Sequence, residues 1–160
     1  MLVCGIRSIF GFRPVDQNME PYEETKIINK VVDILNKTKW NDIKTNWYVL
    51  KGYNQFGVGD IFARKKNRVL VVECKFINRT NPTKKRKKVR QQALLYASYA
   101  KLQNIDDEVK GCWFTNESYG FTEVISYETA KCVIKKHFTE KRFLISTEMG
   151  NKFRECFKIV

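Results

Sequence analysis

The stretch Arg68–Ile77, RVLVVECKFI, decides how the rest of the chain is read. Val69, Leu70, Val71 and Val72 are consecutive apolar residues, so both faces of this segment are apolar, the pattern of a central strand covered on two sides. Glu73 then sets a carboxylate into that strand, and Lys75 an ammonium two residues later on the same face. Burying such charges is costly unless a metal ion, an opposite charge or hydrogen bonds compensate.

The residues just before supply a compensating arrangement. Val58–Arg64 reads as a strand and Lys65-Lys66-Asn67 as a polar turn, which together with Arg68–Ile77 makes a hairpin. Whether the turn holds two residues, Lys66 and Asn67, or four, Lys65 to Arg68, Asp60 falls directly opposite Glu73 with its side chain on the same face. Opposed like charges destabilise a sheet, so the juxtaposition points to a divalent cation, Mg²⁺ or Mn²⁺, held by Asp60 and Glu73, with the Cys74 carbonyl available as a third oxygen. Lys75 projects toward the same spot, where an ammonium can orient water or stabilise charge developing on a phosphate. The E-x-K spacing recurs at Glu24/Lys26 and Glu108/Lys110, but only Glu73/Lys75 follows an apolar run and matches an Asp in a glycine-bracketed GVGD segment.

Further out, Pro21 to about Lys37 has the apolar spacing of a helix, with Asn18 or Glu20 near its cap, and Asn46–Lys51 reads as a strand followed by a loop at Gly52, Asn54 and Gly57. A long helix is expected from Pro82 or Thr83 to about Gln103, capped by Asn81. Strands at Val109–Thr115 and near Phe121–Ile125 flank an irregular SYG turn, and a third helix runs from Tyr127 to Phe138 with Ser126 as its cap. In the last residues, Arg142–Ser146 has strand character and Asn151–Phe157 helix character. This order predicts an α/β fold, a central mixed sheet flanked by helices, within one domain of 160 residues: an N-terminal arm over 1–19, a motif-bearing core over 20–115 and C-terminal strands and helices over 116–160.

Composition bounds the partners. Thirty Lys and Arg against 17 Asp and Glu leave a formal charge of +13, which favours a polyanion, nucleic acid before an anionic membrane, because no long basic amphipathic helix is visible. No apolar run is long enough to span a bilayer. Five cysteines, Cys4, Cys74, Cys112, Cys132 and Cys156, with no C-x-x-C pair fit reduced core thiols in an intracellular protein and argue against structural zinc. The sole histidine, His137, reads as a surface or helix-capping residue, which disfavours acyl-transfer hydrolysis. The first fifteen residues resemble a weak transit peptide but read better as an arm packing through Ile6, Ile9, Phe10 and Phe12. Nucleus, viral or bacterial cytoplasm, and mitochondrion all stay open.

Gly59-Asp60 followed by Glu73-Cys74-Lys75 resembles the PD-(D/E)xK nuclease motif, with Gly in place of the usual Pro before the Asp. Gln92-Ala93-Leu94-Leu95-Tyr96 is similar to the Q-x-x-x-Y motif of the RecB and lambda-exonuclease branch, its Gln and Tyr one helical turn apart. The resemblance covers about residues 20–115 and implies a restriction-endonuclease-like core, a Mg²⁺-dependent phosphodiester hydrolase acting on DNA in repair, recombination or replication processing. It implies an acid from the first helix at the metal site, for which Glu24 is chosen, in register with Ile28, Val31 and Leu35, with Glu23 and Glu20 as alternatives. It also implies that Gln92 and Tyr96 orient Lys75, the water or the scissile strand. The cysteine spacings of the iron–sulfur variants are absent.

Ahead of that motif, Lys84, Lys85, Arg86, Lys87, Lys88 and Arg90 crowd the first turns of a helix, where positive charge opposes the macrodipole, which suggests contacts to the DNA backbone. Tyr48, Tyr53, Phe56 and Tyr119 are aromatics that could stack on bases, though core packing or loop anchoring is the simpler expectation for each. A non-catalytic nucleic-acid-binding or scaffold module retaining the fold is the rival from another class. Junction resolvases, exonucleases and nicking endonucleases share these residues, which leaves room for a homodimer or for a targeting partner protein.

Overall fold

The computed structural model of the chain describes residues 19–51 and 53–141, with the backbone alone for 19, 53–56, 138 and 141. In chain order the elements are α1 (Met19–Lys37), β1 (Asn41–Leu50), β2 (Tyr53–Lys65), β3 (Arg68–Lys75), α2 (Pro82–Gln103), β4 (Glu108–Thr115), β5 (Tyr119–Phe121) and α3 (Tyr127–Lys141). The strands form one mixed five-stranded sheet in sequential order, so the α/β expectation of a mixed sheet flanked by helices holds. Only β3 and β4 run parallel, joined by the α2 crossover, and all other neighbours are antiparallel.

β3 is the central strand that its apolar run predicts, with every residue from Val69 to Cys74 buried. Its alternate side chains divide the core. Leu70, Val72 and Cys74 join Ile61, Ala63 and Cys112 under α1, which contributes Ile27, Val31 and Leu35 at helical spacing. Val69 and Val71 face the other way, against Tyr96, Ala97 and Ala100 of α2, with Ala130 and Ile134 of α3 behind. Glu73 follows the odd-numbered set onto the α2 face, one strand step beyond Val71.

The hairpin has the two-residue turn, closing at Lys65↔Arg68 with Lys66 at φ 54, as such a tight turn requires. The other boundaries shift for local reasons. β1 and β2 are both longer than expected: the polar Asn41–Thr45 pairs with β2 across a register irregularity, with Asp42 and Asn46 at positive φ, and Tyr53 already pairs with Leu50. The expected loop over Asn54 and Gly57 is therefore strand. β3 stops at Lys75, not Ile77, because the Asn116 side chain takes over the Ile77 backbone, accepting from its N–H at 2.7 Å and donating to its carbonyl at 3.1 Å. β5 covers Tyr119–Phe121, not Phe121–Ile125: the turn closes when Thr115 N–H donates to the Ser118 carbonyl, and beyond Phe121 the Thr122 hydroxyl accepts from Gly111 N–H in place of a ladder bond.

Helix α1 begins at Met19, so Glu20 lies inside it. Asn81 occupies the position ahead of α2 but in a left-handed conformation (φ 51) with no side-chain cap. Ser126 does cap α3, accepting from Thr129 N–H at 3.1 Å, and α3 extends past Phe138 to Lys141. His137 is not a free surface or capping group: its Nδ1 is 2.9 Å from the Tyr99 hydroxyl, fastening α3 to α2. Cys74 and Cys112 are buried thiols as expected, whereas Cys132 is exposed. The N-terminal arm, the Asn18 cap, Gly52, Cys4, Cys156, the side chains of Tyr53 and Phe56, and the segments Arg142–Ser146 and Asn151–Phe157 lie outside the described residues. Among the described residues no helix is long and apolar enough to cross a membrane.

Candidate active site

The ladder Ile61↔Val72 to Lys65↔Arg68, carried one step further, sets Asp60 against Glu73. The two carboxylates are locked by backbone donors. Asp60 N–H donates to Glu73 Oε1 at 3.1 Å, and Cys74 N–H donates to Asp60 Oδ2 at 2.7 Å. Each side chain therefore spends one oxygen on the neighbouring strand, and the other oxygen of each accepts no described hydrogen bond. In a strand the N–H and C=O of one residue leave by the same edge, so the Cys74 carbonyl is directed to the Asp60 side.

Glu73 is 2% exposed. Burial, then the neighbouring Asp60 charge, pushes its carboxyl up to about 9. Asp60 is also raised, first by burial and further by Glu24, with Lys75 and the Cys74 N–H opposing. Two acids held side by side with too little positive charge are chemically suited to a hard cation. Asp60, Glu73 and the Cys74 carbonyl fit Mg²⁺, which keeps several waters and needs few protein oxygens. Among the described residues no three His, Cys, Asp or Glu side chains form a group that could hold a metal ion.

Glu24 does reach the site but meets the amine: its Oε1 lies 2.6 Å from Lys75 Nζ as an ion pair, and this buried oxygen makes no geometrically formed hydrogen bond. One turn earlier, Glu20 accepts from both Lys85 and Asn78, and Lys85 also donates to Asn78 Oδ1 at 2.8 Å. The Lys85 bond holds the Glu20 carboxyl below the usual carboxylate range. Glu23 instead pairs with Lys26 on the helix surface at 3.4 Å. Acids one turn apart on α1 thus bind the lysines that end β3 and begin α2.

From α2, Gln92 Nε2 donates to the Tyr96 hydroxyl at 3.1 Å. Burial raises the Tyr96 phenol, and the charges of Glu73 and Asp60 raise it further, which places it within their field. Among the described residues neither Gln92 nor Tyr96 bonds Lys75, and the one side-chain bond of this motif is the one by which Gln92 orients the tyrosine. Gly57 (φ 119) makes room, since a Cβ there would lie 2.5 Å from Tyr96 Oη. Gly59 has a steric reason as well: a Cβ would lie 2.3 Å from Trp47 Nε1, so neither proline nor alanine fits before Asp60 while that indole is in place.

The basic turns of α2 divide by use. Lys85 serves Glu20, Arg86 forms a two-pronged bond to Glu117 at 2.9 and 3.0 Å, and the Arg90 guanidinium lies 5.2 Å from the Trp113 ring. Lys84, Lys87 and Lys88 are exposed, with no ion-pair partner among the described residues. Tyr48 and Tyr119 are exposed at 55% and 64%, so neither is the core residue expected, although Tyr119 stacks on Phe114. Asn78 and Trp47 were not singled out from the sequence; the only signal for Asn78 is a polar residue directly after the buried strand, and Trp47 shows none beyond its aromatic character.

No family model, curated protein or solved structure matches this chain.

Proposed function

We propose that the chain is a metal-dependent nuclease of PD-(D/E)xK type with a restriction-endonuclease-like core, hydrolysing DNA phosphodiester bonds. The observation that carries this reading is the strand-locked pair of half-buried Asp60 and buried Glu73 with the Lys75 ammonium at the same strand end. Burial raises the proton affinity of both acids, Asp60 raises that of Glu73 further, and ionising them costs stability, so a ligand that neutralises them is the simplest reason to keep them.

Asp60, Glu73 and the Cys74 carbonyl would hold Mg²⁺, whose chemistry there is to neutralise phosphate charge and favour hydroxide over water. Lys75, braced by Glu24, orients the attacking water and the phosphate through its N–H donors. Tyr96, set by Gln92, would offer its hydroxyl to the water or the scissile strand. Lys84, Lys87 and Lys88 face solvent on the helix that carries this motif and suit the DNA backbone. Water attacks phosphorus, the P–O bond to the leaving oxygen breaks, and that oxygen departs with a proton.

The rival, a non-catalytic binding module of the same fold, draws support from the Glu24–Lys75 ion pair, which occupies both groups. Purified Asp60→Asn and Lys75→Ala variants separate the two. The nuclease reading expects Mg²⁺-dependent cleavage of DNA by the wild type, at least about 100-fold lost in each variant, with salt-sensitive DNA binding retained. No cleavage of single-stranded, duplex, flapped or four-way DNA by the wild type, or undiminished cleavage by either variant, refutes it.

A further inference from the structure

Among the described residues helix α1 does not cover the whole of its face of the sheet. Its buried residues lie over β2 and β3, and beside it a groove of about 640 Å³ runs across β4 and β5. The register pairs Cys112 with Phe121 and Phe114 with Tyr119, placing these side chains on the α1 face. Phe114 and Tyr119 are stacked, with centroids 5.6 Å apart and planes 13° from parallel, and Phe121 stands edge-on to Tyr119 at 6.1 Å. Tyr119 and Phe121 are 64% and 53% exposed. Stacked rings left open to solvent are an unfavourable surface unless something covers them.

The rim is cationic. Lys30 Nζ lies 5.9 Å from the Phe114 ring centroid, and Arg68 and Lys110 also line the groove, against one carboxylate, Glu108, among the described lining residues. Along α1, Tyr22 and Lys26 continue the line of Lys30 at four-residue spacing, with Lys26 Nζ 4.4 Å from the Tyr22 ring centroid. The exposed Arg86–Glu117 fork links the β4–β5 turn to α2. Phe114 is the register neighbour of Cys74, so the platform begins one strand from the carboxylate pair, on the opposite face of the sheet.

We propose that this groove binds single-stranded nucleic acid, bases stacking on Tyr119, Phe114 and Phe121 and phosphates meeting Lys30, Arg68 and Lys110. Flat π faces accept any base, and the cations suit the backbone between them. A second copy of this chain is a poorer occupant, since it would bring the same cations face to face. An apolar peptide leaves the ring of cations unexplained. The inference rests on the nucleic-acid half of the functional reading and not on hydrolysis.

Binding is therefore measured without divalent metal, in EDTA, by fluorescence anisotropy with labelled oligothymidine, an abasic oligomer of equal length and charge, and a duplex. Tyr119→Leu keeps apolar bulk but removes the π face, and Tyr119→Trp restores it. The expected result is oligothymidine binding weakened about tenfold in Tyr119→Leu and restored in Tyr119→Trp, with abasic and duplex binding unchanged. Equal binding of oligothymidine and the abasic oligomer by the wild type, an unaffected Tyr119→Leu, or a wild-type dimer in sedimentation that Tyr119→Leu dissociates would each overturn it. A protein that stacks bases here yet never cleaves DNA retains this groove and loses only the nuclease reading.

Discussion

Glu73 shows how one side chain can couple fold to chemistry. Its folded-state carboxyl titrates near 9 against an ordinary value of 4.5, so between those pH values the native protein holds a proton that the unfolded chain has released. Stability contributed by this group is therefore full below the ordinary value and falls as pH rises through that window. Glu73→Gln keeps the neutral, hydrogen-bonded form at every pH, and its Oε1 can still accept from Asp60 N–H. In EDTA at pH 8 the variant is expected to melt at least roughly 2–4 °C above wild type, the shift of about 1 kcal/mol in a domain of this size, with the gap closing near pH 4. Calorimetry across pH measures this. Added Mg²⁺ should raise the melting temperature of the wild type and not of the variant; a variant that melts no higher than wild type at pH 8 would remove the electrostatic strain from the account.

At the scale of the strand, the site depends on how closely β1 and β2 approach. Gly59 lets the Trp47 indole lie against the β2 backbone, where it packs on Phe62 with ring centroids 5.3 Å apart. Gly59→Ala forces either the indole or the strand to move, next to the residue that positions Asp60. We expect a loss of about 1–3 kcal/mol in urea denaturation, typical of overpacking. The neighbouring Val58→Ala, at a position 43% exposed, should shift stability by less than about 0.5 kcal/mol. Strand pairing and the Asp60–Glu73 juxtaposition were legible in the sequence because a tight polar turn and alternating side chains leave one register. The tight fit at Gly59 was not, since Trp47 comes from a strand whose first half, Asn41–Thr45, lacks the apolar alternation that announces a strand.

Over the whole molecule, a formal charge of +13 would make the proposed nucleic-acid binding steeply salt-dependent, whatever the chemistry at the acids. The structure decides which cations are free to contribute. Lys84, Lys87 and Lys88 are exposed on α2, whereas Lys85 is already satisfied by Glu20 and Asn78. Changing Lys84, Lys87 and Lys88 together to Gln should flatten the slope of log K against log salt by about 0.9 per lost phosphate contact on duplex DNA. Lys85→Gln should leave the slope nearly unchanged. Anisotropy titrations over a range of NaCl concentrations distinguish the two, and an equal loss of slope in both variants would show that the Glu20 pairing does not withhold Lys85 from DNA.

The amino-acid sequence determined the buried strand, the hairpin register and the meeting of Asp60 with Glu73, because these follow from nearest-neighbour geometry along one turn. It also determined the positive charge and the long helix bearing Gln92 and Tyr96. Only the tertiary structure decided that Glu24 binds Lys75, that Gln92 serves Tyr96, that half of the basic run is engaged within the protein, and that Phe114, Tyr119 and Phe121 share an open face. The Glu24–Lys75, Glu20–Lys85 and Arg86–Glu117 pairs join elements far apart in the chain, and which side chains meet there depends on how the helices pack across the sheet, a choice that local periodicity does not encode.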